Sequence, residues 1–268
     1  MRPNITLVET LVREAAREEL LPRFRKVARH QKPDGSWLTE ADLAMQARLH
    51  AELAARWPGF GFLGEEMSTQ EQARILMTHA GEGAEAGYWV LDPLDGTSNY
   101  SAGLPVFSVS LALMCGGRVV LGVVYDPMLD ESFSAVEGAG ATLNGEPLQA
   151  RTTGIDLTRA LACVDFKRLP PALAARIVSN APYGSQRSIG SVALDWCWVA
   201  AGRFHVYLHG RQSLWDYAAG ALILAEAGGF SDTLDGEPAS LSLKPRSALC
   251  ATDAVLFAQW RDWLRGGG

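Results

Sequence analysis

Two aspartates lie three residues apart in the run Asp92-Pro93-Leu94-Asp95-Gly96-Thr97. Carboxylate oxygens are the ligands that hard cations such as Mg²⁺ prefer, and such ions often share them with substrate phosphates. Pro93 fixes one backbone dihedral and Gly96 permits a conformation closed to other residues. The Thr97 hydroxyl and the N–H groups after it could hold an anion if a helix begins there. The run is therefore either a metal and phosphate site or an ordinary polar turn, since Asp-Pro and Asp-Gly are common in turns.

Three further acids occupy similar places, each at a junction between predicted elements. Glu65 follows a short apolar strand, Asp216 precedes a helix, and Asp42 lies in the first turn of another helix. Each acid also has a purely structural explanation. A Gly-Glu-Glu segment is commonly solvated, and an Asp at a helix start caps the helix or complements its dipole. Sequence spacing cannot bring these acids together in space, so the residues alone leave both interpretations open.

The elements that would position these acids follow from the pattern of apolar residues. Residues 88–91 (Tyr-Trp-Val-Leu) read as a short buried strand directly before the central run. Helices are predicted from residue 5 to about 29 and from Thr39 or Glu40 to Trp57, with Thr39 as N-cap and Asp42 in the capping-box position. A short strand is predicted at 60–63, a surface loop at 31–36 and an exposed stretch at 67–86.

The rest of the chain alternates strands with helices. Strands are predicted at 107–114, at 119–125 and within 131–141, with tight turns at Gly116-Gly117 and Asn144-Gly145. Further strands are predicted at 160–165 and 204–208, and helices at 171–179, 191–201 and 217–227. This order predicts a layered sandwich of the α+β or α/β class. A loose boundary divides it into an N-terminal part (1–148) and a C-terminal part (149–268) of one compact unit.

The composition excludes several classes of protein. The 268 residues are 48% hydrophobic and 20% charged, as in a globular protein with a substantial core. A formal charge of −6 without a Lys/Arg cluster argues against nucleic-acid binding. No run reaches the ~20 apolar residues of a membrane span, and the acidic N-terminus is unlike a signal peptide. The four cysteines lack Cys-x-x-Cys spacing, which is typical of a reduced, cytoplasmic protein.

Taken together, the motifs resemble those of the inositol monophosphatase family of Mg²⁺-dependent, lithium-sensitive phosphatases. Gly64-Glu65-Glu66, the central run, and Trp215-Asp216 through Glu226-Ala227-Gly228-Gly229 match its three signatures in order. Thr39-Glu40-Ala41-Asp42 and Gly190-Ser191 look like two smaller elements of the family. Several motifs in the right order are far more specific than one match. The resemblance covers most of the chain and implies a sugar-phosphatase-like fold and a homodimer.

The resemblance also implies roles for individual residues. Glu65, Asp92 and the carbonyl of Leu94 would hold one Mg²⁺, and Asp92, Asp95 and Asp216 a second, while a third, weaker ion would involve Glu65 and waters near Asp42. Such ions lower the pKa of a bound water. Thr97, Glu65 and Asp42 would orient this water for direct attack on phosphorus, without a phosphoenzyme. The implied substrate and phosphate contacts are Asp95, Gly96, Thr97, Gly190, Ser191, His209 and Asp216.

The substrate side departs from the family pattern. Inositol-type members place a Glu seven residues before the last metal-binding Asp, where this chain has His209. Imidazole offers at most one acceptor to a sugar hydroxyl. Arg203, His205 and Arg211 lie near His209 in sequence, and Arg187 precedes Gly190-Ser191. These basic residues could bind a second anionic group of the substrate or belong to solvated loops.

Three functions follow as expectations. The first is hydrolysis of a small phosphate ester of the inositol 1-phosphate type. The alternative within the family is a 3′(2′),5′-bisphosphate nucleotidase or a fructose-1,6-bisphosphatase. The loop from Lys32 to Ser36 also resembles the corresponding loop of the nucleotidase branch. The alternative of another class is a non-catalytic interaction protein that keeps the fold.

Overall fold

The computed structural model describes residues 2–32, 35, 37–79, 87–236 and 243–266. Eight helices lie within these residues. They are α1 (Ile5–Glu19), α2 (Glu40–Arg56), α3 (Thr69–His79), α4 (Thr97–Ala102), α5 (Pro171–Ser179), α6 (Val192–Ala200), α7 (Leu214–Glu226) and α8 (Ala254–Leu264). None of the helices in this described part is long and apolar enough to cross a membrane.

The described strands form one hairpin and two larger sheets. The hairpin pairs β1 (Arg29–Gln31) with β2 (Trp37–Thr39). The seven-stranded sheet contains, side by side, β3 (Gly61–Gly64), β4 (Gly87–Asp95), β5 (Ser108–Cys115), β6 (Arg118–Asp126), β7 (Glu131–Val136), β8 (Gly140–Leu143) and β9 (Glu146–Leu148). The five-stranded sheet contains β10 (Leu161–Asp165), β11 (Ser185–Arg187), β12 (Val206–Gln212), β13 (Phe230–Asp232) and β14 (Arg246–Ala251), in the order β11-β10-β12-β14-β13.

Helices and sheets alternate in five layers. Helices α1 and α2 cover one face of the seven-stranded sheet. Helices α6 and α7 fill the space between the two sheets, and α5 and α8 cover the outer face of the five-stranded sheet. Strand β4 shows the principle, because Trp89 and Leu91 pack toward α1 and α2 while Tyr88 and Val90 pack toward α6 and α7. The layered α/β sandwich expected from the sequence is confirmed.

Several elements differ from their sequence-based predictions. Helix α1 ends at Glu19 rather than near residue 29, and turns occupy residues 20–26. Pro22 lies just beyond this end, where a helix cannot readily continue. The stretch 67–86, predicted as exposed, contains α3. Its only buried residue is Gln72, so the sequence shows no apolar periodicity that would predict this helix. Strand β14 and helix α8 were not predicted. The predicted loop at 31–36 begins inside β1, and its positions 33, 34 and 36 lie outside the described residues, as do 80–86.

Candidate active site

The central run lies in an irregular end of β4. The strand continues beyond the predicted Leu91 to Asp95, and its pairing with β5 shifts register between Asp92 and Asp95. Asp92 pairs with Ser110 and Asp95 with Ser108, so one extra residue is inserted in β4. In a regular strand, residues three apart face opposite sides. The bulge cancels this effect and turns both carboxylates toward the same cavity.

This cavity, of about 480 Å³, collects nearly all the predicted site residues. It is lined by Glu65, Asp92, Leu94, Asp95, Gly96, Thr97, Gly190, Ser191, His209 and Asp216. Asp42 is fully buried and does not line the cavity. It contacts the site through the Thr97 hydroxyl, whose oxygen lies 3.1 Å from Asp42 Oδ1 and 2.9 Å from the Leu94 carbonyl oxygen. Since a hydroxyl carries one proton, Thr97 can donate to only one of these acceptors at a time.

Asp42 and Asp216 have the same local role at two different helices. Each is the third residue of its helix and accepts a hydrogen bond from the backbone N–H of the N-cap residue, which is Thr39 for α2 and Ser213 for α7. Both N···O distances are 2.7 Å. The capping box predicted at Thr39 is therefore confirmed. These bonds use Oδ2 of each carboxylate, and in Asp42 Oδ1 faces Thr97.

Asp95 joins the N-terminal and C-terminal parts of the chain. Its Oδ2 accepts hydrogen bonds from Ser191 Oγ at 2.6 Å and from the Ala193 N–H at 2.7 Å. The adjacent Gly96 has a positive φ of 97°, and a Cβ there would lie 3.2 Å from the Gly190 carbonyl oxygen. Glycine thus allows both the left-handed turn and the close approach of the segment that carries Ser191.

The buried carboxylates destabilise one another's charged forms. Burial raises the pKa of Asp92 well above its ordinary value, and the charges of Glu65, Asp95 and Asp216 raise it further. Burial likewise raises the pKa of Asp216, and the charges of Asp95 and Glu65 raise it further, whereas the charge of Arg168 lowers it. Burial also raises the pKa of Asp95, although the hydrogen bonds from Ser191 and Ala193 oppose this change. A nearby divalent cation would relieve this repulsion.

The donor set is chemically suited to Mg²⁺, because carboxylate and carbonyl oxygens face the cavity at this point. Among the described residues, however, no three His, Cys, Asp or Glu side chains are already gathered as a metal cluster. Asp92, Asp95 and Asp216 each accept a hydrogen bond from a protein donor through one carboxylate oxygen. Glu65 Oε1 lies 2.9 Å from Lys32 Nζ. A cation at Glu65 would compete with the Lys32 ammonium group for this oxygen.

Lys32 was not predicted as a site residue. Its ammonium group bridges Glu65 and Glu66, at 2.9 Å and 2.5 Å from their Oε1 atoms. Burial alone would lower the pKa of Lys32, but the two glutamates raise it. Burial and the charge of Glu65 raise the pKa of Glu66 to about 7, although Lys32 opposes this shift. Lys32 thus supplies a local positive charge at the edge of the acidic cluster.

His209 lines the cavity, but both of its ring nitrogens have protein partners. Nδ1 accepts a hydrogen bond from the Arg211 N–H at 3.1 Å, and Nε2 lies 3.5 Å from Asp165 Oδ2. His209 and Asp165 are neighbours in the register of the parallel strands β12 and β10. His209 lowers the pKa of Asp165 and so favours its ionised form. This arrangement favours a positioning role for His209 rather than a direct substrate contact.

Of the four basic residues considered for the substrate side, Arg211 lines the cavity and the other three do not. Arg203 forms two bonds of 2.6 and 2.7 Å with Glu131, His205 accepts a bond from the Leu161 N–H, and Arg187 bonds Ser185. Of the two interpretations left open for these residues, a second anion site or solvated loops, the first is not supported for Arg187, Arg203 and His205, because none of them lines the cavity. The charged cavity residues that were not predicted are Asp165, Lys167, Arg168 and Asp195. The sequence offered one indication of them: the predicted strand 160–165 ends at Asp165, and functional residues often follow the end of a strand.

Comparison with known proteins places this site in context. The model of the inositol monophosphatase family matches residues 3–262. The chain is 36% identical to an inositol-1-monophosphatase of Mesorhizobium japonicum, over 76% of this chain and 75% of that protein. It is 35% identical to the Nus factor SuhB of Pasteurella multocida, over 76% and 74% of the two chains.

Solved structures show the same architecture. The extragenic suppressor protein SuhB from Bartonella henselae superposes with a TM-score of 0.85 at 28% identity, covering 98% of both chains. A Staphylococcus aureus IMPase-II with bound 2′-AMP gives a TM-score of 0.80 at 26% identity, covering 98% of this chain and 93% of that one.

Proposed function

Because the chain belongs to the inositol monophosphatase family, we propose that it is a Mg²⁺-dependent phosphomonoesterase for a small phosphate ester of the inositol 1-phosphate type. One observation carries this proposal above all. Carboxylates from separate segments line one cavity, namely Glu65 after β3, Asp92 and Asp95 in β4, and Asp216 in α7. The charges of Glu65 and Asp95 add to the effect of burial in raising the pKa of both Asp92 and Asp216.

The residues that would hold the ions line the cavity and offer carboxylate or backbone carbonyl oxygens as ligands. Glu65, Asp92 and the Leu94 carbonyl would bind one Mg²⁺, and Asp92, Asp95 and Asp216 a second, with a third at Glu65. When bound, Mg²⁺ would offset the charge of the phosphate and lower the pKa of a water molecule. The many carboxylates match the ions' charge and fix their positions.

The remaining residues would orient the reactants. Thr97 and Glu65 would orient the attacking water, and Asp42 would fix the Thr97 hydroxyl through the 3.1 Å contact. The backbone N–H groups at Gly96 and Thr97, at the start of α4, would donate to phosphate oxygens, because the first N–H groups of a helix lack intrahelical partners. Such positioning converts a bimolecular attack into an effectively unimolecular one.

The direct test is Mg²⁺-dependent release of phosphate from a panel of esters. The panel contains inositol 1-phosphate, fructose 1,6-bisphosphate, adenosine 3′,5′-bisphosphate and histidinol phosphate. We expect turnover that EDTA abolishes and added Mg²⁺ restores. Absence of turnover by the wild-type protein across the panel, with simple aryl phosphates included, would overturn the proposal.

The competing function is that of a non-catalytic interaction protein. Relatives such as that of Pasteurella multocida carry the name Nus factor SuhB. The presence of every expected acid and of Thr97 favours the enzyme for this chain. Homodimer formation, lithium sensitivity and a cytoplasmic location stay predictions.

A further inference from the structure

We propose that the cavity contains a second binding site, formed by Lys167, Arg168 and Arg211, for an anionic group carried by the substrate. This inference rests on the proposed function, because the ligand is the same ester whose reacting phosphate binds beside the carboxylates. Within the proposed phosphomonoesterase function, it favours esters with a second phosphate or carboxylate group over inositol 1-phosphate itself.

The first observation is that no hydrogen bond or ion pair among the described residues holds these three side chains, although the charge of Arg168 lowers the pKa of Asp216 and that of Lys167 lowers the pKa of Asp165. All three line the cavity and are exposed. Within the described ranges, their side chains form no ion pair and no hydrogen bond, whereas Arg203, also close to this sheet, is held by two bonds to Glu131. Guanidinium groups bind phosphate and carboxylate through paired N–H donors, and an ammonium group binds them as a point charge.

The second observation is that the backbone holds these cations in place. Lys167 and Arg168 follow β10, and Arg211 lies near the end of β12, the parallel neighbour of β10. A Cβ on Gly210 would lie 1.9 Å from the Arg168 carbonyl oxygen, so glycine lets the loop pack directly on β12. Asp165 Oδ1 accepts a bond of 2.8 Å from the Lys167 N–H, which ties the loop to the strand end.

The third observation is the distribution of charge in the cavity. The acidic cluster lies on β4, on α7 and directly after β3, whereas the three cations lie on β12 and on the segment after β10, in the other sheet. Besides the acidic cluster, the cavity lining contains two carboxyl groups, Asp165, whose pKa is lowered, and Asp195, whose pKa burial raises well above its ordinary value. The three cations outnumber these two groups. A concave surface with an excess of positive charge attracts anions. The volume of about 480 Å³ exceeds the need of one phosphate and leaves room for a larger ester.

The test compares matched pairs of esters that differ only in the second anionic group. The pairs are fructose 1-phosphate with fructose 1,6-bisphosphate, and adenosine 2′-phosphate with adenosine 2′,5′-bisphosphate. We expect a kcat/KM ratio of roughly ten or more in favour of the doubly anionic member of a pair, the size expected for a charged hydrogen bond. The ratio should fall to near one in the triple variant Lys167→Gln, Arg168→Gln, Arg211→Gln.

A control variant removes the same charge elsewhere. Lys26, Arg151 and Arg159 are exposed and do not line this cavity, so their joint replacement by Gln should keep the ratio. Equal kcat/KM values within both pairs, or a ratio that survives in the cavity variant, would overturn the inference while leaving the phosphatase activity intact.

If the proposed phosphatase function is wrong, a binding experiment can still test the second site. If no compound is hydrolysed, calorimetric titration of the same pairs into the wild-type protein decides the inference separately. Tighter binding of the doubly anionic member, lost in the cavity variant and kept in the control, supports the second site. Equal binding of both members refutes it.

Discussion

At the scale of single residues, burial and three neighbouring carboxylates oppose the charged form of Asp92 and raise its pKa. Asp92→Asn keeps the oxygen that accepts the Leu94 N–H at 3.0 Å and removes the repelling charge. We therefore expect activity to fall by roughly 100-fold or more, while the melting temperature of the metal-free protein stays equal or rises. Phosphate release and calorimetry in EDTA measure both effects.

A clear loss of metal-free stability in Asp92→Asn would contradict this account. Asp253→Ala is the matched control, because Asp253 caps α8 through bonds to Val255 and Leu256. Its removal should lower the free energy of unfolding by about 1 kcal/mol, far from the cavity.

Thr97 permits a second test at this scale. Its hydroxyl lies between Asp42 and the Leu94 carbonyl, and we expect Thr97→Val to lower kcat much more than it raises KM, because orientation of the water is lost. Thr97→Ser keeps the hydroxyl and should restore most of kcat. Similar losses in both variants would show that the methyl group, and not the hydroxyl, matters.

At the scale of elements, the contact of Gly210 with the Arg168 carbonyl determines where the 165–169 loop lies on β12. Gly210→Ala forces two backbone segments apart, and we expect a loss of about 1–3 kcal/mol in the free energy of unfolding. Gly59→Ala is the matched control, since no atom lies within 4 Å of its added Cβ. Denaturant unfolding of both variants measures the difference, and equal stabilities would contradict the packing argument.

Elements also decide how much of the site could be read from the sequence. The capping box at Thr39 and the strand before Asp92 were predictable, because both depend on residues close in the chain. The bulge that turns Asp92 and Asp95 to one side depends on pairing with β5 and was not predictable. Nor was the approach of Arg168 to Arg211, which requires the parallel pairing of β10 and β12. Helix α3 was missed because it buries only Gln72.

At the scale of the whole molecule, the raised pKa values predict how stability depends on pH. Asp42, Asp92, Asp95, Asp216 and Glu66 have raised pKa values, with Glu66 at about 7. An acid with a higher pKa in the folded state binds its proton more tightly there. Its stabilising effect is complete below the unfolded pKa and is lost as the pH rises through the folded pKa.

The metal-free protein should therefore lose stability as the pH rises from about 5 to about 7.5, a window between the ordinary carboxyl pKa and the raised ones. The lowered pKa values of Asp165 and Asp253 act only below that window. Burial lowers the pKa of His205, which acts within the window in the opposite direction but is one group against five. Mg²⁺ should reduce the slope, because ion binding favours the ionised acids. Melting temperatures with EDTA and with Mg²⁺ test this, and a metal-free melting temperature that rises across the window would refute it.

The two capping boxes have a consequence for judging whether a protein of this fold is still an enzyme. Asp42 and Asp216 each start a helix, so a descendant that abandoned hydrolysis would still be under pressure to keep them for folding. Glu65 does not cap a helix, since the side-chain partner of its carboxylate is Lys32. In a catalytically silent relative, mutations should therefore accumulate at Glu65 before they reach the helix starts, and retention of Asp216 alone is no proof of turnover.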